Sequence, residues 1–296
     1  MGAALQSLIP DVDSLAQRLQ EVDYLADPGL ATALFLAVRL PQPLLLEGEP
    51  GVGKTEAAKA LAQVLGSPLL RLQCHEGVDA AEALYEWNYP RQLLAIRVAE
   101  AQHRELAEAD LFQRQYLIPR PLLRALEHAG PQPAVLLIDE VDRADDEFEA
   151  FLLELLGEGS VTIPELGTVR ARVAPVVLLT SNRTRDLHDA LKRRCLYHWI
   201  EYPGLERTVA IIRRRVPQST QSLAEQVAAA VSRLRSLHLQ KPPGVAEAID
   251  WLAALQTLGL AELDQVAAGA TIGAVLKYQE DLEEAVDRGL EWVARG

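Results

Sequence analysis

Two short strings carry residue types that can act on phosphate. The first, Gly48-Glu49-Pro50-Gly51-Val52-Gly53-Lys54-Thr55, fits G-x-x-x-x-G-K-[ST] without a mismatch. Glycines at these places let the backbone wrap closely, so that its N–H groups point at anionic oxygens, and a helix opening just beyond adds partial positive charge. Lys54 suits the β and γ phosphates of a nucleoside triphosphate, and the Thr55 hydroxyl suits Mg²⁺. Gly48, Pro50, Gly51, Val52, Gly53 and Glu56 complete the candidate cofactor-binding set. The second string, Val135-Leu136-Leu137-Ile138-Asp139-Glu140, is an apolar run that ends in two carboxylates. Asp139 is suited to hold Mg²⁺, directly or through water, and Glu140 to orient and polarise an attacking water. Each string has a plainer reading: a glycine turn before a helix, and a strand that ends in solvent.

The elements around these strings supply the context that the chemistry needs. Pro41 to Glu47 reads as a proline-marked break and a short buried strand running into the first string, and Thr55 to Leu65 as the helix that follows it. Leu69–Gln73, Ala134–Ile138, Pro175–Thr180 and Tyr197–Tyr202 read as four further apolar strands. Helical spacing is seen at Gln6–Leu19, Gly29–Arg39 and Phe148–Leu156. Apolar strands alternating with helices imply a doubly wound α/β fold, a parallel sheet with helices on both faces that binds ligands at the carboxyl ends of its strands. After Pro203 only helical stretches follow: Glu206–Arg215, Leu223–Leu237, Val245–Leu258 and Ile272–Val293. The expected division is therefore an α/β nucleotide domain over residues 1–203, with an insert around 75–130, and an all-helical lid over 204–296.

Composition narrows the classes. The chain has 296 residues, 49% of them hydrophobic, enough for a substantial core. With 29 basic against 42 acidic residues the formal charge is −13, which disfavours bulk attraction to nucleic acid. Cys74 and Cys195 form no CxxC or Cys/His cluster, and the six histidines show no ligand spacing. Met1 to Asp13 lacks the basic and apolar regions of a signal peptide, and no run reaches the length of a membrane span. These features imply a soluble cytoplasmic protein.

Taken together, the two strings resemble the AAA+ ATPases, and Asp139-Glu140-Val141-Asp142-Arg143-Ala144 resembles the DEINRA segment of the MoxR branch. Gly157-Glu158-Gly159-Ser160-Val161-Thr162-Ile163 is similar to the start of that branch's hairpin, and Thr180-Ser181-Asn182 to its sensor strand. Lys192-Arg193-Arg194-Cys195 and Lys241-Pro242-Pro243-Gly244 resemble CoxD-like members associated with carbon monoxide dehydrogenase maturation. Leu84-Tyr85-Glu86-Trp87-Asn88-Tyr89-Pro90 is similar to the clade's helix-2 insert; its aromatics would line a ring's axial face or pack as an ordinary apolar patch.

The resemblance implies a ring-forming ATPase, usually hexameric, that uses ATP and Mg²⁺. Its expected partners are a von Willebrand factor A domain protein and a protein client, often a metalloenzyme. It gives Asn182 the sensor role of orienting water or the γ-phosphate, where residue type alone reads equally as a strand-end turn. It also makes Arg194, with Arg193 beside it, the arginine finger for a neighbouring subunit; a solvated basic turn is the alternative. Arg143 fits an inter-subunit contact or a surface salt bridge. Where relatives carry a sensor arginine at the start of a lid helix, this chain offers Val245, and Lys241 is the nearest cation. Two other functions fit parts of the pattern: a nucleotide-gated scaffold with negligible turnover, and a DNA-dependent motor, which the charge disfavours.

Overall fold

The computed structural model describes residues 8–294. The first seven positions of the Met1–Asp13 segment, and the start of the helix expected at Gln6, lie outside the described residues. Five strands form the central sheet: β1 (Leu44–Gly48), β2 (Leu69–Gln73), β5 (Val135–Asp139), β8 (Val176–Ser181) and β9 (Leu196–Ile200). Their order is β2-β5-β8-β1-β9, with β2/β5, β5/β8 and β8/β1 parallel. The three inner strands, β5, β8 and β1, are apolar because both faces are covered. Leu45, Leu136, Ile138 and Leu179 join a core with residues of the Pro121–Glu127 and Asp146–Glu158 helices, while Leu44, Leu46, Leu137 and Leu178 are buried as well. The α/β expectation holds.

The chain divides into two compact units, which differ in architecture. The first comprises, among the described residues, 8–18, 28–47 and 58–198 and contains the body of the sheet. Within it, β3 (Tyr85–Trp87) pairs antiparallel with β4 (Leu117–Pro119), and β6 (Ser160–Ile163) with β7 (Gly167–Arg170), the latter where the sequence resembles a hairpin. The helices at Tyr89–Ala101 and Pro121–Glu127 lie in the expected insert region. Its aromatics divide: Trp87 is buried edge-on against Phe112 at 5.2 Å, whereas Tyr89 is exposed.

The second unit comprises, among the described residues, 19–27, 48–57 and 199–294 and is mainly helical. Helices at Leu205–Arg215, Gln221–Arg235 and Val245–Thr257 share a core that includes Ile212, Leu223, Val231, Trp251 and Leu255. The Trp251 indole donates to the Thr271 hydroxyl at 2.7 Å inside it. One expected helix is broken. In place of a continuous Ile272–Val293 helix the chain forms a 3-10 turn at Ile272–Ala274 and helices at Gln279–Arg288 and Leu290–Ala294. Tyr278 is extended, and Gly289 sits at φ +102°, a conformation glycine adopts without strain.

Candidate functional site

The phosphate-loop string lies in the helical unit, directly after β1, and the Lys54–Leu65 helix opens from it. Gly51 and Gly53 take φ of +77° and +97°, where a side chain would be strained, so the loop's path depends on glycine. Lys54 is buried, and its ammonium donates to the carbonyls of Gly48 at 2.7 Å and Glu49 at 2.8 Å. The cation is thus held inside the turn that would receive phosphates. The Tyr24 hydroxyl donates to the Gly53 carbonyl at 3.3 Å, and Glu56 pairs with Arg215 at 3.0 Å. Burial pushes the Tyr24 phenol well above its ordinary range.

The start of the Val245–Thr257 helix rests on the same loop. The Val245 N–H donates to the Gly51 carbonyl at 3.0 Å, and the Glu247 carboxylate accepts the Gly244 N–H at 2.9 Å. A Cβ on Gly51 would approach the Glu247 carboxylate to 2.9 Å, so this side of the loop is closely packed. Val245 therefore meets the phosphate loop through its backbone. Lys241 has an exposed side chain, and its N–H donates to buried Asp281 at 3.1 Å.

The acidic string lies in the α/β unit at the carboxyl edge of the sheet. Asp139, 2% exposed, receives the Thr180 hydroxyl at 2.5 Å on one oxygen and the Arg71 guanidinium at 2.6 Å on the other. The same Thr180 oxygen accepts the Glu140 N–H at 2.9 Å. Glu140 is in the left-handed region at φ +56°, and its carboxylate pairs with Arg143 at 2.8 Å. Arg143 thus serves an internal pair within this chain. Asp142, also 2% exposed, accepts N–H groups from Asn182 at 3.3 Å and Thr184 at 2.8 Å. Parallel pairing of β5 with β8 brings Asp139, Glu140 and Asn182 to one edge.

Arg194 takes another place. It ends the Asp189–Arg194 helix, donates to the Leu153 carbonyl and packs over Gly157, on the Asp146–Glu158 helix. Arg193 beside it is exposed. The approach to these arginines is fixed by Glu149, fully buried, which pairs with Arg185 and accepts the His188 N–H at 2.9 Å. Burial, reinforced by the charges of Asp139, Asp142 and Glu140, pushes the Cys74 thiol up to about 12; burial alone takes Cys195 to about 12.

Residues 43–195 match the model of the AAA domain, dynein-related subfamily, a span of more than half the chain that holds both strings. This chain belongs to the AAA domain family. It is 28% identical over 96% of its length to the ATP-dependent zinc metalloprotease FtsH 3 of Sphaerobacter thermophilus, covering 50% of that protein. It is 27% identical over 95% of its length to FtsH 1 of Sorangium cellulosum, covering 39% of that one. A 48-residue stretch is 42% identical to Midasin of Giardia intestinalis. The chain thus spans half or less of the length of these FtsH relatives.

Among the described residues no group of three or more His, Cys, Asp or Glu side chains is placed to hold a metal ion, and no helix is long and apolar enough to cross a membrane. The acidic string and the sensor resemblance led to Asp139, Glu140 and Asn182. Those strings contain Thr180 and Asp142 without giving them a role, and Arg71 lies outside both; all three hold the site residues in place. The available signals were a charged residue inside the short strand β2 and a threonine ending an otherwise apolar run in β8.

Proposed function

We propose that this AAA domain protein binds and hydrolyses ATP, and that it works as a MoxR-type remodelling chaperone, most like the CoxD-like members. The observation that best supports hydrolysis is the Thr180 hydroxyl, which ties Asp139 and Glu140 to the strand that leads directly into Asn182. Lys54 and the amides of residues 48–56 would bind the triphosphate. Thr55 and Asp139 would hold Mg²⁺, whose preference for hard oxygen donors their hydroxyl and carboxylate meet; bound there, it would neutralise charge on the phosphates. Because Asp139 already engages Thr180 and Arg71, contact through water fits this carboxylate without breaking either pair. Glu140 would take the proton of the attacking water, and Asn182 would orient it. We read residues 1–203 as the nucleotide domain and 204–296 as the lid.

Arg194, with Arg193, would supply positive charge to the transition state in an adjacent subunit. That role makes activity a property of a ring, for which a hexamer is the family expectation. A von Willebrand factor A domain protein and a protein client, such as a metalloenzyme, are the proposed partners in the cytoplasm. From the FtsH relatives we carry over the ATP dependence in their names and leave their protease chemistry with them.

A nucleotide-gated scaffold is the second reading, favoured by the Arg71 pair that occupies one Asp139 oxygen. Steady-state phosphate release separates the two, since a scaffold binds ATP without sustained release. For the ring, Arg194→Ala should bind ATP normally and lose about 10³-fold in turnover, within the range measured for arginine fingers. Mixing it with Lys54→Ala should restore activity above either variant alone. No recovery in rings shown by native mass measurement to be mixed rejects Arg194 as the finger.

A further inference from the structure

The turn that follows β8 is wound around one buried carboxylate. Ser181 to Thr184 contains Arg183 at φ +57°, a left-handed conformation that a non-glycine residue adopts only when its surroundings hold it there. The holding contacts converge on Asp142. One carboxylate oxygen accepts the Asn182 N–H at 3.3 Å; the other accepts the Thr184 N–H at 2.8 Å and its hydroxyl at 2.7 Å. The Ser181 hydroxyl closes the turn from inside by accepting the Arg183 N–H at 3.0 Å. Asp142 belongs to the 3-10 turn Val141–Arg143 directly after Glu140, so its position is tied to that of the carboxylate at the edge.

We propose that Asp142 is a positioning residue for hydrolysis, setting Asn182 relative to Glu140 by holding the turn in which Asn182 lies. The proposal rests on the reading of Asn182 as the residue that orients water or the γ-phosphate. A carboxylate suits this place because both of its oxygens only accept, and the turn presents donors to both. An asparagine offers one accepting oxygen and one NH₂ group. Whichever way its amide is turned, either the Asn182 N–H or the Thr184 N–H faces a donor. Asp142→Asn keeps the size of the side chain and removes the two-sided acceptance, so the turn relaxes without a cavity.

Displacement of a reacting group by about 1 Å costs on the order of 10²-fold in rate. Asp142→Asn should therefore lower kcat by about 10- to 100-fold while KM for ATP stays near wild type, and the buried donor left facing a donor should lower the melting point. The steady-state assay takes wild type, Asn182→Ala, Asp142→Asn and the double variant, with ATP affinity measured by calorimetry. The double variant should be no slower than Asn182→Ala alone, because the two residues act through one step. Thr184→Val removes a hydroxyl donor and leaves both N–H contacts; it should show a smaller loss in kcat at unchanged KM, and it reports on the same carboxylate if Asp142→Asn melts early. Wild-type turnover in both Asp142→Asn and Thr184→Val, beside a slow Asn182→Ala, overturns the proposal and leaves the reading of Asn182 standing. Losses that multiply in the double variant also overturn it. Wild-type turnover in Asn182→Ala overturns the underlying reading and the proposal with it.

Discussion

The phosphate loop is shaped by its own backbone, with Gly51 and Gly53 at positive φ and Lys54 folded onto two carbonyls, whereas the acidic edge is shaped by side chains from three strands. Arg71 comes from β2, Asp139 from β5 and Thr180 from β8. A loop held by backbone needs particular residues at fixed local spacing and shows itself as a contiguous string. An edge held by side chains needs complementary partners that meet only after the strands have paired. The two regions should consequently fail in different ways when altered.

Lys54→Ala should give the larger change, and it should appear in binding. Charge-assisted hydrogen bonds contribute about 1.5 to 3 kcal/mol, so ATP affinity should weaken by about 10- to 100-fold. Calorimetric titration measures it. Unchanged affinity would remove the phosphate loop from the account.

Thr180→Val should give the smaller change, and it should appear in stability and rate. The substitution keeps the shape but leaves a buried Asp139 oxygen and the Glu140 N–H without the hydroxyl between them. Stability should fall by about 1 to 3 kcal/mol, read from denaturant midpoints, with ATP affinity nearly unchanged. A loss of affinity as large as that of Lys54→Ala would erase the distinction between the two regions.

The same distinction governs how much of the molecule was legible in the sequence. All five sheet strands were, the inner three because buried parallel strands are continuous apolar runs, as Val135–Ile138 and Val176–Leu179 show. The phosphate loop was, because glycine and lysine spacing encodes its path. The broken helix after Ile272 was not: the apolar spacing continues across Tyr278 and Gly289, where the backbone leaves the helix. Buried Asp281, which accepts the N–H groups of Gln240 and Lys241, also carries no mark in the helical pattern. Arg71, Thr180 and Asp142 escaped for a related reason. Their partners lie some 40 or more positions away in sequence, and only the parallel pairing of β2, β5 and β8 brings them together.

The central claim is that Glu140 activates water for attack on ATP. Its most direct test is phosphate release by Glu140→Gln under saturating ATP, with binding measured on the same sample. A glutamine keeps the size of the side chain and cannot take a proton, and general base catalysis contributes about 10²- to 10⁴-fold. ATP should bind with wild-type affinity and persist, with release slowed by at least about 100-fold. Release at the wild-type rate would show that another group activates the water and would contradict the account.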